Sequence, residues 1–363
     1  MATQLLLDSR LTRAFEVYHV DLADRRGIEF VDKPDFQDVV LFLKQLAATL
    51  KILNHRKPDI TYLAISQSTI GFIRDSLFLW LAYMFGSKAV IHLHGSNLRN
   101  WYEKLHPLLK TYAKASLRRV TRAIVLGESL RRIFYGLVPS DRIVPVPNGL
   151  GSSREYPHPR KDQQETLLYK ILYLGTLNRL KGVLILLKAI PSVLKARSDV
   201  QFVFAGSWSN NEDRMEAEGF ISAHELGNRV VFLGHVQGEA KDRLYRSVDL
   251  FVFPGVQQEG QPLVVLEAMA AGLPVLFTNR GCLRETVIST HNGLEFQVGD
   301  DHDLSGKILW ILQHPSEMQR MGRESYKRYK ALYTRERFVE RMIDVFQDVS
   351  GQTSNSSPLY EEK

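Results

Sequence analysis

Little in this chain points to a secreted, metal-built or membrane-spanning protein. Its 363 residues include one cysteine, Cys282, so no internal disulfide forms and a reducing cytoplasm suits it. Residues 1–20 lack the basic start and apolar run of a signal peptide. The most apolar stretch, Ser76 to Phe85 (SLFLWLAYMF), is too short to span a bilayer and reads as a buried helix. Internal repeats, paired Cys/His spacings of a zinc site and an acidic D-x-D pair at a strand end are all missing.

The composition that remains is that of an ordinary globular protein long enough for two cores. A formal charge of +7 favours anionic partners: phosphorylated ligands, acidic membranes or nucleic acid. No recognised nucleic-acid-binding motif accompanies the charge, so nucleic acid is not expected as a partner.

Apolar runs alternate with amphipathic segments, the pattern of parallel sheets covered by helices, and predict an α/β protein with two doubly wound halves. Expected strands of the first half are Glu16–Val20, Asp59–Ile65, Lys88–Leu93, Arg122–Leu126 and Arg142–Val146. Expected helices between them are Phe36–His55, Thr69–Phe85 and Trp101–Val120. The second half predicts strands Lys170–Leu174, Val200–Ala205, Val230–Leu233, Leu250–Phe253, Pro274–Phe277 and Leu294–Val298. Residues 151–166, rich in charge with two prolines, read as a linker between domains 1–150 and 167–333. The stretch 334–349 reads as a C-terminal helix near the domain junction, and 350–363 as a disordered tail. Ligands of doubly wound sheets sit beyond the carboxyl ends of the strands, so a cleft between the domains is the expected site.

The segment FPGVQQEGQPLVVLEAMAAGLPVLFTN, residues 253–279, carries the most chemistry. A strand ends at Phe253, Pro262 opens a helix and Gly272 closes it. The unpaired N–H groups of that helix start make an anion site at the loop Glu259–Leu263. Glu259 and Glu267, with seven residues between them, place two carboxylates beside it that can accept hydrogen bonds from sugar hydroxyls. A second segment, ILYLGTLNRLKGVLILLKAI at 171–190, runs strand, glycine turn, basic loop and helix. In the first half, KAVIHLHGSN ends a strand at His94 and Gly95, with His92 on the same strand face expected to be buried.

The first segment resembles the donor-binding signature of the retaining GT-B glycosyltransferases of family 4, group 1 glycosyl transferases. The fixed positions of their pattern E-G-x-x-L-V-x-L-E-A-M-A-x-G-x-P-V are all met by residues 259–275. The likeness runs from the first helix to about residue 345. It implies a hexosyltransferase that moves a sugar from a nucleoside-diphosphate sugar to a hydroxyl acceptor with retention, in polysaccharide or glycolipid synthesis. It further implies that Glu267 binds the ribose hydroxyls and Glu259 the donor sugar. Gly260, Gln261, Pro262 and Leu263 then lie near the diphosphate and sugar. Gly175 forms the tight turn, Lys181 is the diphosphate cation, and His94 completes the sugar site; His94, Glu259 and Lys181 are the expected catalytic residues.

Members of this fold generally need no metal, so no metal or other cofactor is expected. The family usually has an arginine directly after the first glycine; here Thr176 stands there, and Arg179 is the expected substitute. Relatives also open with a hydrophobic strand and a glycine-rich loop, whereas this chain starts at MATQLLLDSRL, matching the helix that follows them. Residues 101–122 carry seven basic side chains and one acidic, interleaved with aromatic and leucine residues. Two readings stay open there: a helix lying on anionic lipid at the inner membrane face, with a lipid-linked or saccharide acceptor, or a solvated face over a packed stripe. The rivals to a transferase are a GT-B-fold nucleotide-sugar epimerase, a non-catalytic relative that only binds, and a DNA-binding protein.

Overall fold

The structure is a computed structural model that describes residues 2–22, 36–151 and 168–351. The chain forms two compact units. Unit 1 takes Met1–Val125, Arg131–Val146 and Val339–Lys363; unit 2 takes Leu126–Leu130 and Pro147–Phe338.

Unit 1 holds a four-stranded parallel sheet in the order β1-β2-β3-β4: Ile60–Ala64, Lys88–His92, Arg122–Val125 and Ile143–Pro145. Its helices are α1 (Ala2–Leu7), α2 (Leu11–Ala14), α3 (Phe36–His55), α4 (Thr69–Met84), α5 (Leu98–Glu103) and α6 (Pro107–Leu117). Val90, Ile91, Ala123, Ile124 and Val125 have no exposed surface, as expected of parallel strands covered on both faces. The N-cap of α4 is Ser68, whose hydroxyl accepts from the Gly71 amide.

Two expectations for this unit fail. Glu16–Val20 joins no ladder among the described residues; Phe15 instead meets Phe346 edge-on at 5.9 Å and Arg56 lies over the Tyr18 ring at 5.4 Å. The single helix over 101–120 is two helices, because Pro107 has no N–H to continue the first and is well placed to open the second. His106 caps that second start through its ring nitrogen.

Unit 2 holds a six-stranded parallel sheet: β5 (Tyr169–Leu174), β6 (Val200–Ala205), β7 (Val230–Phe232), β8 (Leu250–Phe253), β9 (Val275–Thr278) and β10 (Gly293–Phe296). Helices α7 (Val183–Ala196), α8 (Asn211–Ala223), α9 (Gly238–Arg246), α10 (Leu263–Ala270), α11 (Leu283–Thr286), α12 (Asp301–Gln313) and α13 (Pro315–Leu332) lie within this unit. The last helix, α14 (Arg335–Ser350), starts in unit 2 and ends in unit 1. There Arg122 pairs with Asp348 at 2.7 Å and the Lys88 ammonium donates to the Val349 carbonyl at 2.7 Å.

The spatial order β10-β9-β8-β5-β6-β7 contains the feature that positions the site. From β5 the chain winds outward through β6 and β7, then returns to the other side of β5 for β8, β9 and β10. The winding therefore reverses between β5 and β8, and the loops leaving their carboxyl ends diverge to frame a crevice. Strands β8 and β9 are buried at every residue, so what these loops can reach is set by a rigid layer beneath. Unit 2 begins at Pro147 and includes Leu126–Leu130, whereas the sequence suggests a division at 150 and 151. The expected linker 151–166, apart from Gly151, and the expected tail, apart from Ser350 and Gly351, lie outside the described residues.

Candidate functional site

Two loops meet at the reversal point. The first leaves β5 at Gly175 and runs to Gly182, ending in a short 3-10 turn over Arg179–Lys181. Asn178 makes that turn by accepting the Lys181 amide on its side chain at 2.8 Å. The second runs from Pro254 to Pro262. The Leu180 carbonyl accepts both the Val256 amide (2.9 Å) and the Gln257 amide (3.2 Å), so the loops are joined through backbone. Gly182 sits at φ +80°, and a Cβ there would fall 1.9 Å from the Pro254 oxygen. No other residue type fits that contact.

This junction carries the Lys181 ammonium to 2.5 Å from a Glu259 carboxylate oxygen, with both side chains mostly buried. The Gln257 amide donates to the same oxygen at 3.2 Å. Beneath them Tyr173 spends its hydroxyl on the Thr176 carbonyl at 2.7 Å; burial, with Glu259's charge adding, raises its pKa. A third loop, 279–282, closes on the second. Gly281, at φ +60°, lies so near the Glu259 carbonyl that a Cβ would stand 1.8 Å away. The Cys282 amide and thiol both point at the Gly260 carbonyl, 3.3 and 3.1 Å away. Burial pushes that thiol up to about 12, so it stays protonated and unreactive at neutral pH.

Helix α10 follows the second loop. Pro262 is its N-cap rather than its first residue, with ψ of 121°, and Leu263 begins the helix. The first N–H groups of α10 therefore emerge beside Gly260 and Gln261. Glu267 lies further along α10 and is held from α9: the Lys241 ammonium reaches it at 2.6 Å and the Tyr245 hydroxyl at 2.9 Å. The same hydroxyl oxygen lies 3.1 Å from the Val264 carbonyl, the alternative acceptor of its one proton, and so ties α9 to the start of α10.

Of the residues singled out from sequence, Gly175, Lys181, Glu259, Gly260, Pro262, Leu263 and Glu267 lie on these joined elements. Gln261 lies there too, but its side chain is committed elsewhere. It is buried, accepts the Asn148 amide at 2.7 Å and donates to the Thr286 hydroxyl at 3.1 Å. Arg179 is not brought to Lys181. Its guanidinium turns to α8 and engages Asp213 at 2.6 Å, Glu212 at 3.0 Å and Glu216 at 3.3 Å. Three carboxylates on one helix outcompete the loop for that cation.

His94 is described within unit 1. Its ring remains reachable from solvent, stacks on His92 at 3.9 Å, and is lowered by desolvation to about 4, so it is neutral at pH 7. His92 is fully buried, as anticipated; its Nδ1 bonds the Tyr62 hydroxyl at 2.9 Å, and burial lowers its pKa well below the ordinary value.

Sequence reasoning missed three participants. Lys241 and Tyr245 stand four apart on α9, a spacing that puts both on one helix face, and that was their available signal. Glu285 is the third. Its two oxygens accept the Glu128 and Ser129 amides at 2.6 Å each, capping the 3-10 turn Glu128–Phe134. The Ser129 hydroxyl donates to the Gly281 carbonyl at 3.1 Å.

The comparisons with known proteins follow the same geography. A family model described as Glycosyl transferases group 1 matches residues 158–328, which include all three loops and α10. Spore coat protein SA of Bacillus subtilis (strain 168) is 30% identical over 184 residues, 49% of this chain and 48% of that protein. A phosphatidyl-myo-inositol mannosyltransferase of Mycobacterium leprae (strain TN) is 26% identical over 269 residues, 67% of this chain and 70% of the enzyme. The chain thus spans about half the length of the first of these relatives. The crystal structure of Anabaena Alr3699/HepE in complex with UDP superposes with a TM-score of 0.71 at 19% identity, covering 84% of each chain. With its two parallel-sheet Rossmann-like domains and these neighbours, the chain has the GT-B fold, and its second unit is the part that resembles the group 1 glycosyl transferases.

Proposed function

We propose that this chain is a retaining glycosyltransferase of family 4 that takes a nucleoside-diphosphate hexose and passes the sugar to a hydroxyl of a saccharide or lipid-linked acceptor. The observation that carries this reading is the meeting of Lys181 and Glu259 at the reversal point of the second sheet, beside the start of α10. In the reaction the anomeric C–O bond to the diphosphate breaks, and the nucleoside diphosphate leaves with the electron pair. The acceptor oxygen bonds the same carbon on the same face and gives up its proton, which the departing diphosphate can take. Charge builds on the leaving diphosphate, so a cation and helix amides fixed in a half-buried site stabilise the transition state.

Lys181 is that cation, and its pairing with Glu259 holds it in place before the donor arrives. Glu267 keeps acceptor capacity for ribose hydroxyls while Lys241 and Tyr245 fix its rotamer. His94, neutral at pH 7, is suited to hydrogen-bond a sugar hydroxyl rather than to pair with phosphate. Leaving-group stabilisation by these groups needs no metal ion. One relative supports the acceptor class by its name, phosphatidyl-myo-inositol mannosyltransferase.

A lipid acceptor also gives a role to the first unit's surface. Ile70, Ile73, Leu77 and Met84 form one exposed row along α4. Beside it, α6 carries Lys110, Lys114 and no acidic residue, and Arg119 just past its end lies 4.2 Å over Trp80. Apolar and basic rows side by side suit peripheral contact with anionic lipid. Among the described residues, no helix is long and apolar enough to cross a membrane.

The test is isothermal titration against UDP- and GDP-sugars, followed by an assay of released nucleotide with candidate acceptors. Saturable binding with acceptor-dependent release supports the transferase. Binding without release under any acceptor would leave a donor-binding protein, and no binding by a folded sample would sink the donor site.

A further inference from the structure

The charges around the candidate site are almost fully cancelled. Lys181 is matched by Glu259, Lys241 by Glu267, and Arg179 by three carboxylates of α8. Arg280 stands apart. It lies in the 279–282 loop that packs on Glu259 and Gly260, with its own amide bonded to the Thr278 carbonyl at 2.8 Å. The amide of its neighbour Gly281 donates to the Gln258 side chain at 3.3 Å, so the loop is held on both sides of it. Yet the Arg280 Nε is buried and has no hydrogen-bond partner, and no carboxylate pairs with its guanidinium among the described residues. Enclosing a guanidinium N–H without an acceptor is costly, and a planar fork of donors is matched best by a phosphate or carboxylate oxygen pair.

We infer that Arg280 is a phosphate-binding residue of this site, a role that Arg179 does not fill. The inference rests on the donor-site reading above and adds to it the second cation that a diphosphate requires. The phosphate has two possible sources, the nucleoside diphosphate of the donor and the phosphodiester headgroup of a lipid acceptor; both present the same paired oxygens to the fork.

The test compares this 363-residue chain with its Arg280→Gln and Arg280→Lys variants by isothermal titration. The probes are UDP and GDP, UMP and GMP, and glycerol 3-phosphate as a soluble headgroup. Thermal melting shows whether each variant is folded, and Arg280→Lys keeps the charge should the glutamine variant melt early. A donor contact predicts that Arg280→Gln weakens diphosphate binding roughly ten- to a hundredfold, the size of a charge-assisted hydrogen bond. Monophosphate binding then changes less, and Arg280→Lys recovers part of the loss. An acceptor contact predicts the same fall for glycerol 3-phosphate with UDP and GDP unchanged. Equal affinities for every probe in wild type and Arg280→Gln would overturn the inference and leave the donor reading intact. A wild type that takes glycerol 3-phosphate but no nucleotide would sink the donor reading and keep a phosphate site, and binding of neither class would sink both.

Discussion

Gly182→Ala is the substitution whose cost can be worked most directly from the geometry. Gly182 joins the Lys181 turn to α7 at φ +80°, where an L side chain costs about 1–2 kcal/mol. Its new methyl would meet Pro254 at 1.9 Å from the oxygen, 2.5 Å from the carbonyl carbon and 2.9 Å from Cβ. Two of those atoms are backbone at the end of a buried strand, so the loops must separate, an overpacking cost of about 1–3 kcal/mol. The sum, about 2–5 kcal/mol, corresponds to a fall of roughly 10 °C in the Tm of a unit this size.

Separation of the loops should also loosen the Lys181–Glu259 pair and weaken nucleotide-sugar binding. Differential scanning calorimetry reads the first effect and titration the second. Gly219→Ala is the control: it sits inside α8, where an added Cβ would meet nothing within 4 Å, and should stabilise by about 0.5–1 kcal/mol. A Gly182→Ala protein melting within roughly 2 °C of wild type would refute the close approach of the two loops, since about 1 kcal/mol shifts Tm by that much.

Three further outcomes are expected. Glu267→Ala should weaken nucleotide-sugar affinity far more than Glu317→Ala, whose carboxylate only pairs with Arg320 on α13 at 2.7 Å; equal affinities in titration would remove Glu267 from the site. The lowered pKa of His94 means that the unfolded chain binds the proton first, so its contribution to stability is complete above the ordinary value of 6.5 and is lost as pH falls toward 4. Urea midpoints measured across that window should therefore fall less steeply for His94→Asn than for wild type, and parallel curves would contradict this. Leu77→Glu with Ile73→Glu should cut sedimentation with anionic vesicles severalfold while leaving donor affinity unchanged; undiminished sedimentation would rule out α4 as the contact.

The sheets were legible in the sequence because their strands are short apolar runs bounded by glycine, proline and polar residues. Ten of the expected strands are present among the described residues, most with ends within a residue or two. The missing one, Glu16–Val20, shows the limit: its alternation is real, but a strand exists only through a partner, and Phe15 and Tyr18 find side-chain partners instead. The break at Pro107 was available in the sequence, since proline cannot continue a helix, and the interleaved leucine and basic pattern masked it. For the site, loop residues with a fixed spacing could be named, and Lys181 and Glu259 do come together across 78 positions of sequence. Which cation goes to which anion could not be read. Arg179 and Lys181 are two residues apart in one loop, and only the placement of α8 decides that the first turns away.

That division of the two cations bears on Thr176, which stands where the pattern of the family this chain resembles has arginine. An arginine at 176 would add a third cation to a loop already holding two, with Tyr173 bonded to the 176 carbonyl directly beneath. Here the loop instead spends Arg179 on α8 and anchors itself there. The Arg179 amide and side chain both bond the buried Asp213, whose carboxylate is held below its usual range by those hydrogen bonds despite its desolvation. Asn210 caps α8 by accepting the Asp213 amide at 2.8 Å, and Asn178 bonds Ser209 just before it at 3.2 Å. The turn carrying Lys181 is thus fixed on one side by α8 and on the other by Pro254. Under the proposed function, a single lysine on a turn fixed from both sides loses little freedom on meeting a phosphate, which offsets part of the missing fork. The remaining charge then comes from another element, and the inferred role of Arg280, in the loop bonded to Gly260, fills that need.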